Sequence, residues 1–202
     1  MKIIWHGHSC FEIVSEQWTL VIDPYGKDTV PGFKSLSLKA HAVFCSHQHG
    51  DHNHVAAVQI IKPQPQIDYA EIQTFHDDAS GKKRGTNTIH IFADQHFRVA
   101  HLGDLGCDLT AKQQAGLIGL DAIMVPVGGH YTIDAVTAKG LMDVLQPRVV
   151  IPMHYHSSTF GFPVLAGIEA YTSLCDDVIH YDGNSIELTP DIKKQTAVLS
   201  YR

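Results

Sequence analysis

Short apolar runs alternate along the chain with turn residues and with stretches of helical spacing. Residues 2–14 and 17–23 read as two strands, the second ending in the turn pair Asp23-Pro24. After a loop holding Pro31 and Gly32, residues 40–47 (AHAVFCSH) are apolar enough for a buried strand. Residues 54–61 suggest a short helix, stopped by Pro63 and Pro65. Strands follow at 71–76 and 87–93 around the polar connection DDASGKKRG, and at 97–104, which closes on a Gly-Asp turn. The second half repeats a strand-helix theme. Residues 121–129 predict a strand and 133–145 a helix, with Val136, Leu141, Val144 and Leu145 close to helical spacing. A strand at 148–155 and a helix at 163–175 come next. VIHYD and SIELT, on either side of Gly183-Asn184, predict a closing hairpin. No linker-like segment divides the chain. The pattern implies one domain over 1–202, of mixed α+β or α/β class, with helices outside the sheets and two similar halves meeting near 105–120.

Composition narrows this picture. An apolar fraction of 44% and a charged fraction of 18% are those of an ordinary globular protein, and 202 residues can bury a sizeable core. The formal charge of −6 argues against a nucleic-acid polymer as partner. The four cysteines form no CxxC pair, and Cys10 and Cys45 sit in apolar runs where buried free thiols are expected. The opening MKIIWHGHSCFEIV has no signal-peptide core, and no apolar stretch is long enough to span a bilayer. A cytoplasmic protein with no membrane partner is expected. Histidine is the outlier, with 15 copies against 15 lysines and arginines together.

Placement gives that count its meaning. The His- and Asp-rich clusters fall just after apolar strands, at 47–54, 101–104, 128–132 and 153–156, where loops leaving a sheet gather chemistry. In Ser46-His47-Gln48-His49-Gly50-Asp51-His52, His47 and His49 can reach one metal from an extended loop, while Asp51 and His52 turn toward a second. Imidazole with carboxylate suits zinc, and also manganese or iron. A solvated histidine-rich loop is the plainer alternative, but such a loop has no reason to follow a fully apolar strand.

With its HxHxDH pattern at His47, His49, Asp51 and His52, the chain resembles the metallo-β-lactamase superfamily. The opening GHSCF, the IDP turn, HLGD, VPVGGHYTID and PMHY resemble the branch containing ascorbate-6-phosphate lactonases and related metal-dependent hydrolases, and more distantly a phospholipase D of N-acyl-phosphatidylethanolamines. The resemblance implies a four-layer αββα sandwich and two divalent ions. It assigns His76 as the third histidine of the first metal site, Asp104 as the bridge between metals and His154 as the last ligand of the second. His90 competes with His76, and His156 with His154. Asp77 and Asp78 are expected to orient the His76 ring. His8, Asp23 and His101 are expected as pocket or supporting groups. His130 is expected on the rim, where it would protonate a leaving group or bind an anion, an exposed loop residue being the plainer alternative.

The activity implied is a dinuclear metal-dependent hydrolase. Two cations lower the pKa of a shared water, and Asp51 orients it and receives its proton. The substrate expected is a small ester, lactone or phosphodiester; Lys82, Lys83 and Arg84 read first as a solvated turn and second as a holder of a phosphate at the pocket mouth. Phe160 and Phe162 are expected to shape the pocket or a contact in a homo-oligomer. The rival readings are a phosphodiesterase of cyclic nucleotides or nucleic acids, and a metal-binding or redox sensor without turnover.

Overall fold

The computed structural model describes residues 1–201. The strands and helices, in chain order, are β1 (Lys2–Gly7), β2 (Cys10–Val14), β3 (Thr19–Ile22), β4 (Leu38–Ala40), β5 (Ala42–Phe44), β6 (Val58–Ile60), β7 (Asp68–Phe75), β8 (Thr86–Ala93), β9 (Arg98–His101), α1 (Ala111–Ala115), β10 (Ala122–Pro126), α2 (Ala135–Leu145), β11 (Val149–Met153), α3 (Glu169–Thr172), β12 (Val178–His180), β13 (Ser185–Glu187) and β14 (Gln195–Val198). They build an α+β sandwich from a five-stranded sheet, ordered β13-β1-β2-β3-β5, and a seven-stranded sheet, ordered β12-β14-β11-β10-β9-β8-β7. One apolar core runs through both. Every residue of β10 and β11 is buried, as expected of central parallel strands covered on both faces. Among the described residues no helix is long and apolar enough to cross a membrane.

Strand direction positions the site. β1 and β3 are each antiparallel to β2, and β5 is parallel to β3, so β1, β3 and β5 end at one edge of their sheet. By the same reasoning β7, β9, β10 and β11 end together in the other sheet. His8, Asp23, His76 and His154 each directly follow the last residue of β1, β3, β7 and β11.

Several expectations change. Residues 2–14 form two strands, because Gly7 and His8 take positive φ values of 107° and 51° and reverse the chain. At 54–61 there is only a 3₁₀ turn over Val55–Ala57 followed by β6. His54 supplies no side-chain cap, and the β-branched Val58, Ile60 and Ile61 favour an extended chain. The 163–175 helix shrinks to α3, with Pro163 and Gly167 in the stretch before it and no side-chain cap at Ile168. In α2 the buried face is Ala135, Ala138, Met142 and Leu145, while Val136 and Val144 point to solvent. The closing hairpin does not form: β13 pairs with β1 and β12 with β14, so Gly183-Asn184 carries the chain between sheets. Cys10 is buried as expected, but Cys45 is only half-buried. The pattern also missed β14 and α1, although Thr110 and Gln113 form a reciprocal cap at the start of α1.

Candidate metal centre

Three residues leave their strands in the left-handed region: His8 (φ 51°), Asp23 (φ 49°) and His154 (φ 55°). Non-glycine residues rarely adopt it, and it turns each chain sharply at a strand end. Close backbone approach supports these turns. A Cβ on Gly128 would collide with the His154 carbonyl, and one on Gly103 with Asn87 and Ser46.

The sequence-predicted side chains converge. His47, His49 and His76 present ligand atoms within 4.8 Å of one another, as do His8, His52 and His154. Asp104 lies between the two groups. Its Oδ2 is 3.2 Å from Nε2 of His76 and of His154, 3.3 Å from that of His52 and 4.0 Å from that of His47. Asp51 Oδ2 stands 3.5 Å from His8 Nε2 and 3.7 Å from His52 Nε2. His154, not His156, joins the cluster. His76, not His90, does so too, since His90 Nδ1 is 2.9 Å from the Tyr69 hydroxyl on β7.

Asp23 behaves as the expected supporting carboxylate, and it serves two imidazoles. Its Oδ2 accepts from His52 Nδ1 at 2.9 Å and from the Ser46 hydroxyl at 2.6 Å, while Oδ1 accepts from the Ser46 amide at 2.6 Å. With its proton given to Asp23, the Ser46 oxygen accepts from His47 Nδ1 at 2.9 Å. Both imidazoles therefore carry hydrogen on Nδ1 and turn Nε2 inward, where a cation would take the place of any proton on it. Those two Nε2 atoms, Asp104 Oδ1 and both ring nitrogens of His8 are buried without a partner. Unpaired buried polar atoms cost about 1–3 kcal/mol each, and imidazole and carboxylate donors are those that hold divalent cations. The residues fit such a group.

Electrostatics agree. Burial alone would raise Asp104, but His154 and His52 hold its carboxyl well below the usual range. Burial would likewise raise Asp23, yet His52 and its neighbouring imidazoles bring it down to about 2. Burial opposes charge on His52, but Asp104 and Asp23 push its pKa well above the ordinary value. Burial takes His47 down to about 3, and burial together with His154 takes His8 to about 4. Without a cation, a proton on His52 thus offsets the buried carboxylates.

Other expected groups lie elsewhere. His101 is structural: its Nε2 donates to the Ser9 carbonyl at 2.8 Å and its Nδ1 accepts from the Gly103 amide at 3.1 Å. Asp77 does not orient His76; it accepts from the amides of Ala79, Gly81, Lys83 and Arg84 and so shapes their loop. Asp78 pairs with Lys83 at 2.6 Å. His130 is exposed and lines, with Lys83, Arg84 and Tyr131, a cleft of about 610 Å³. Arg84 donates to the His130 carbonyl at 3.2 Å and lies over the Tyr131 ring. Phe160 packs with Trp5 and Phe33, whereas the Phe162 ring is 5.7 Å from that of His8. Sequence reasoning missed Asn87, which is fully buried and whose Oδ1 accepts from the Asp104 amide at 2.9 Å. Nothing local in TNTIH signals that role.

A sandwich whose strand ends bring a His/Asp cluster capable of holding metal to one edge defines the class of metal-dependent hydrolases. The chain belongs to the metallo-β-lactamase superfamily: a family model described as the beta-lactamase superfamily domain matches residues 2–154. A UPF0173 metal-dependent hydrolase of Thermoplasma acidophilum is 29% identical over 96% of this chain and 97% of its own length. A UPF0173 metal-dependent hydrolase of Hyperthermus butylicus is 26% identical over 92% of this chain and 95% of its own. Among solved structures, a candidate Zn-dependent hydrolase of the superfamily from Thermotoga maritima superposes with a TM-score of 0.79 at 31% identity, covering 100% of this chain and 99% of that one.

Proposed function

We propose that this metal-dependent hydrolase is dinuclear and cleaves a small ester, lactone or phosphodiester. The observation that carries the reading is Asp104 Oδ2, within 3.2–3.3 Å of imidazole nitrogens from both histidine groups. In this reading His47, His49 and His76 hold one cation, Asp51, His52 and His154 hold the other, and Asp104 is shared. Zinc is the first choice because the donors are nitrogen and oxygen, with manganese or iron as alternatives. When bound, the pair supplies Lewis acidity and brings the pKa of water toward neutrality.

The chain's own residues do the rest. Asp23 keeps His47 and His52 in the tautomer that faces the substrate side. Asp51, held below the ordinary carboxylate range by the neighbouring His8 and His52 imidazoles despite its burial, is ionised at neutral pH and accepts the proton of the attacking water. The cleft walled by Asp77, the residue after His76, takes the remainder of the substrate. Arg84 and Lys83 are there for an anionic group, and His130 is there to return a proton to the departing one. A net charge of −6 favours a small molecule over a nucleic-acid polymer. Four free cysteines suit a reducing cytoplasm.

The test is metal analysis of the purified chain with a panel of esters, lactones and phosphodiesters, with and without a chelator. Two ions per chain and chelator-sensitive turnover are expected. Bound metal with no turnover on any of them would favour the sensor reading instead.

A further inference from the structure

His8 is an unusual buried histidine. Its side chain has 0% exposure, yet neither ring nitrogen has a hydrogen-bond partner. His101 shows what a structural histidine looks like in the same fold, with both ring nitrogens satisfied by main chain. The His8 ring lies 4.2 Å from that of His154 and 5.1 Å from that of His52, centre to centre. The main chain invests heavily in this placement. The His8 carbonyl accepts from Trp5 Nε1 at 2.9 Å and from the His154 amide at 3.4 Å, while His101 holds the next carbonyl, that of Ser9, at 2.8 Å. The residue also keeps φ at 51°, as Asp23 and His154 do at the ends of their own strands. A buried imidazole whose nitrogens have no hydrogen-bond partner, held at positive φ among ligand-type groups, has the surroundings of a ligand and not of a packing residue.

We infer that His8 is a further ligand of the second cation, alongside Asp51, His52, Asp104 and His154. The inference rests on the dinuclear reading and deepens it. The second cation then has five protein donors, whereas the first has His47, His49, His76 and Asp104. Catalytic sites keep a position open for substrate, so the more fully ligated second cation anchors the centre and the first meets the substrate oxygen. The rival role for His8 is that of a positioning residue that steadies Asp51, whose Oδ2 is 3.5 Å away.

Spectroscopy on the full chain separates the two roles. With magnetically active cadmium bound and the histidines isotopically labelled, a metal-bound ring nitrogen shows scalar coupling to cadmium, and one that merely steadies a carboxylate does not. Coupling is expected at His8, His52 and His154. Coupling at His52 and His154 without coupling at His8 overturns this inference and leaves the dinuclear reading standing; no coupling at either overturns both. A second measurement uses zinc and His8→Asn, because asparagine tolerates positive φ. The variant should release its second zinc at a chelator concentration about tenfold lower or more, with the first retained. Unchanged release of both ions would overturn the inference.

Discussion

Of His47, His49 and His76, the first and last are buried, at 7% and 2% exposure, and His49 is exposed, so this group reaches solvent through His49, whereas His8, His52 and His154 are each no more than 1% exposed. Each group takes imidazoles from both sheets: the first joins the loop after β5 to the end of β7, the second joins the ends of β1 and β5 to that of β11. The difference lies in access and support. The second group is walled by the β1–β2 turn and receives Asp23 directly through His52, while the first receives Asp23 only through the Ser46 hydroxyl. In the dinuclear reading, a cation in the closed group would be slower to leave and would tie the sheets together, while one in the other group would exchange more readily.

The largest effect tests whether the two groups form one centre. Asp104→Ala removes the carboxylate oxygen that lies 3.2–3.3 Å from imidazole nitrogens of both, so in the dinuclear reading both ions should be lost together and turnover should fall by about a thousandfold or more. Metal content and kcat/KM check this. Loss of one ion alone would mean two independent sites. Next in size is the acid sensitivity of the ion-free protein, to which each group contributes. His47 and His8 titrate at about 3 and about 4 in the fold, below their ordinary 6.5. As pH falls below 6.5, the unfolded chain binds protons that the folded chain refuses. Stability therefore falls, by up to about 1.4 kcal/mol per pH unit for each imidazole, until the folded pKa is reached. His52, raised well above 6.5 in the fold, adds stability as pH falls from 7 through 6.5 and no further slope below about 5.5, where the unfolded chain is protonated there too. Asp23 stays ionised in the fold down to about 2 and costs stability only below the ordinary carboxylate pKa. Urea titrations of the chelated protein between pH 7 and 4 should show the decline, and an ion-loaded sample should resist it. A flat profile would mean that these imidazoles are not buried without a cation.

Much of this centre was legible because its chemistry is local. Four candidate ligands within 47–52 announce themselves, and the family resemblance places Asp104 at the Gly-Asp turn and His154 at the Pro-Met-His strand end. What was illegible depends on partners distant in the chain. Asn87 matters only because β8 lies beside β9, and His8, expected from the sequence only as a pocket or supporting group, comes against His154 because β11 ends at the β1–β2 turn. The α2 face was misread for a related reason. Val136 and Val144 are the more apolar residues, but the sheet leaves room for Ala135 and Ala138, so close approach outweighs side-chain hydrophobicity there. VIHYD and SIELT look like a hairpin locally, yet β1 already offers Ser185–Glu187 an antiparallel partner.

The tautomer relay sharpens the comparison further. Asp23→Asn keeps the shape but can offer a donor to His52 Nδ1, which itself donates. One of the two must yield, and the ring that rotates or changes tautomer presents hydrogen instead of a lone pair to the centre. Affinity for the second ion should drop by about 10- to 100-fold, and that for the first by less, as read by chelator competition.

The smallest expected effect isolates the open group. Ser46→Ala removes the hydroxyl that accepts from His47 Nδ1 but leaves the Ser46 amide on Asp23 Oδ1 and the His52 contact on Oδ2 untouched. His47 then loses its tautomer lock and keeps its place, because the backbone on either side does not change. A net hydrogen bond of this kind is worth about 1 kcal/mol, so first-ion affinity should fall by roughly fivefold, with release of the second ion unaltered. Equal loss at both ions would show that Ser46 acts by holding Asp23 rather than by orienting His47, and the two groups would then share one support instead of two.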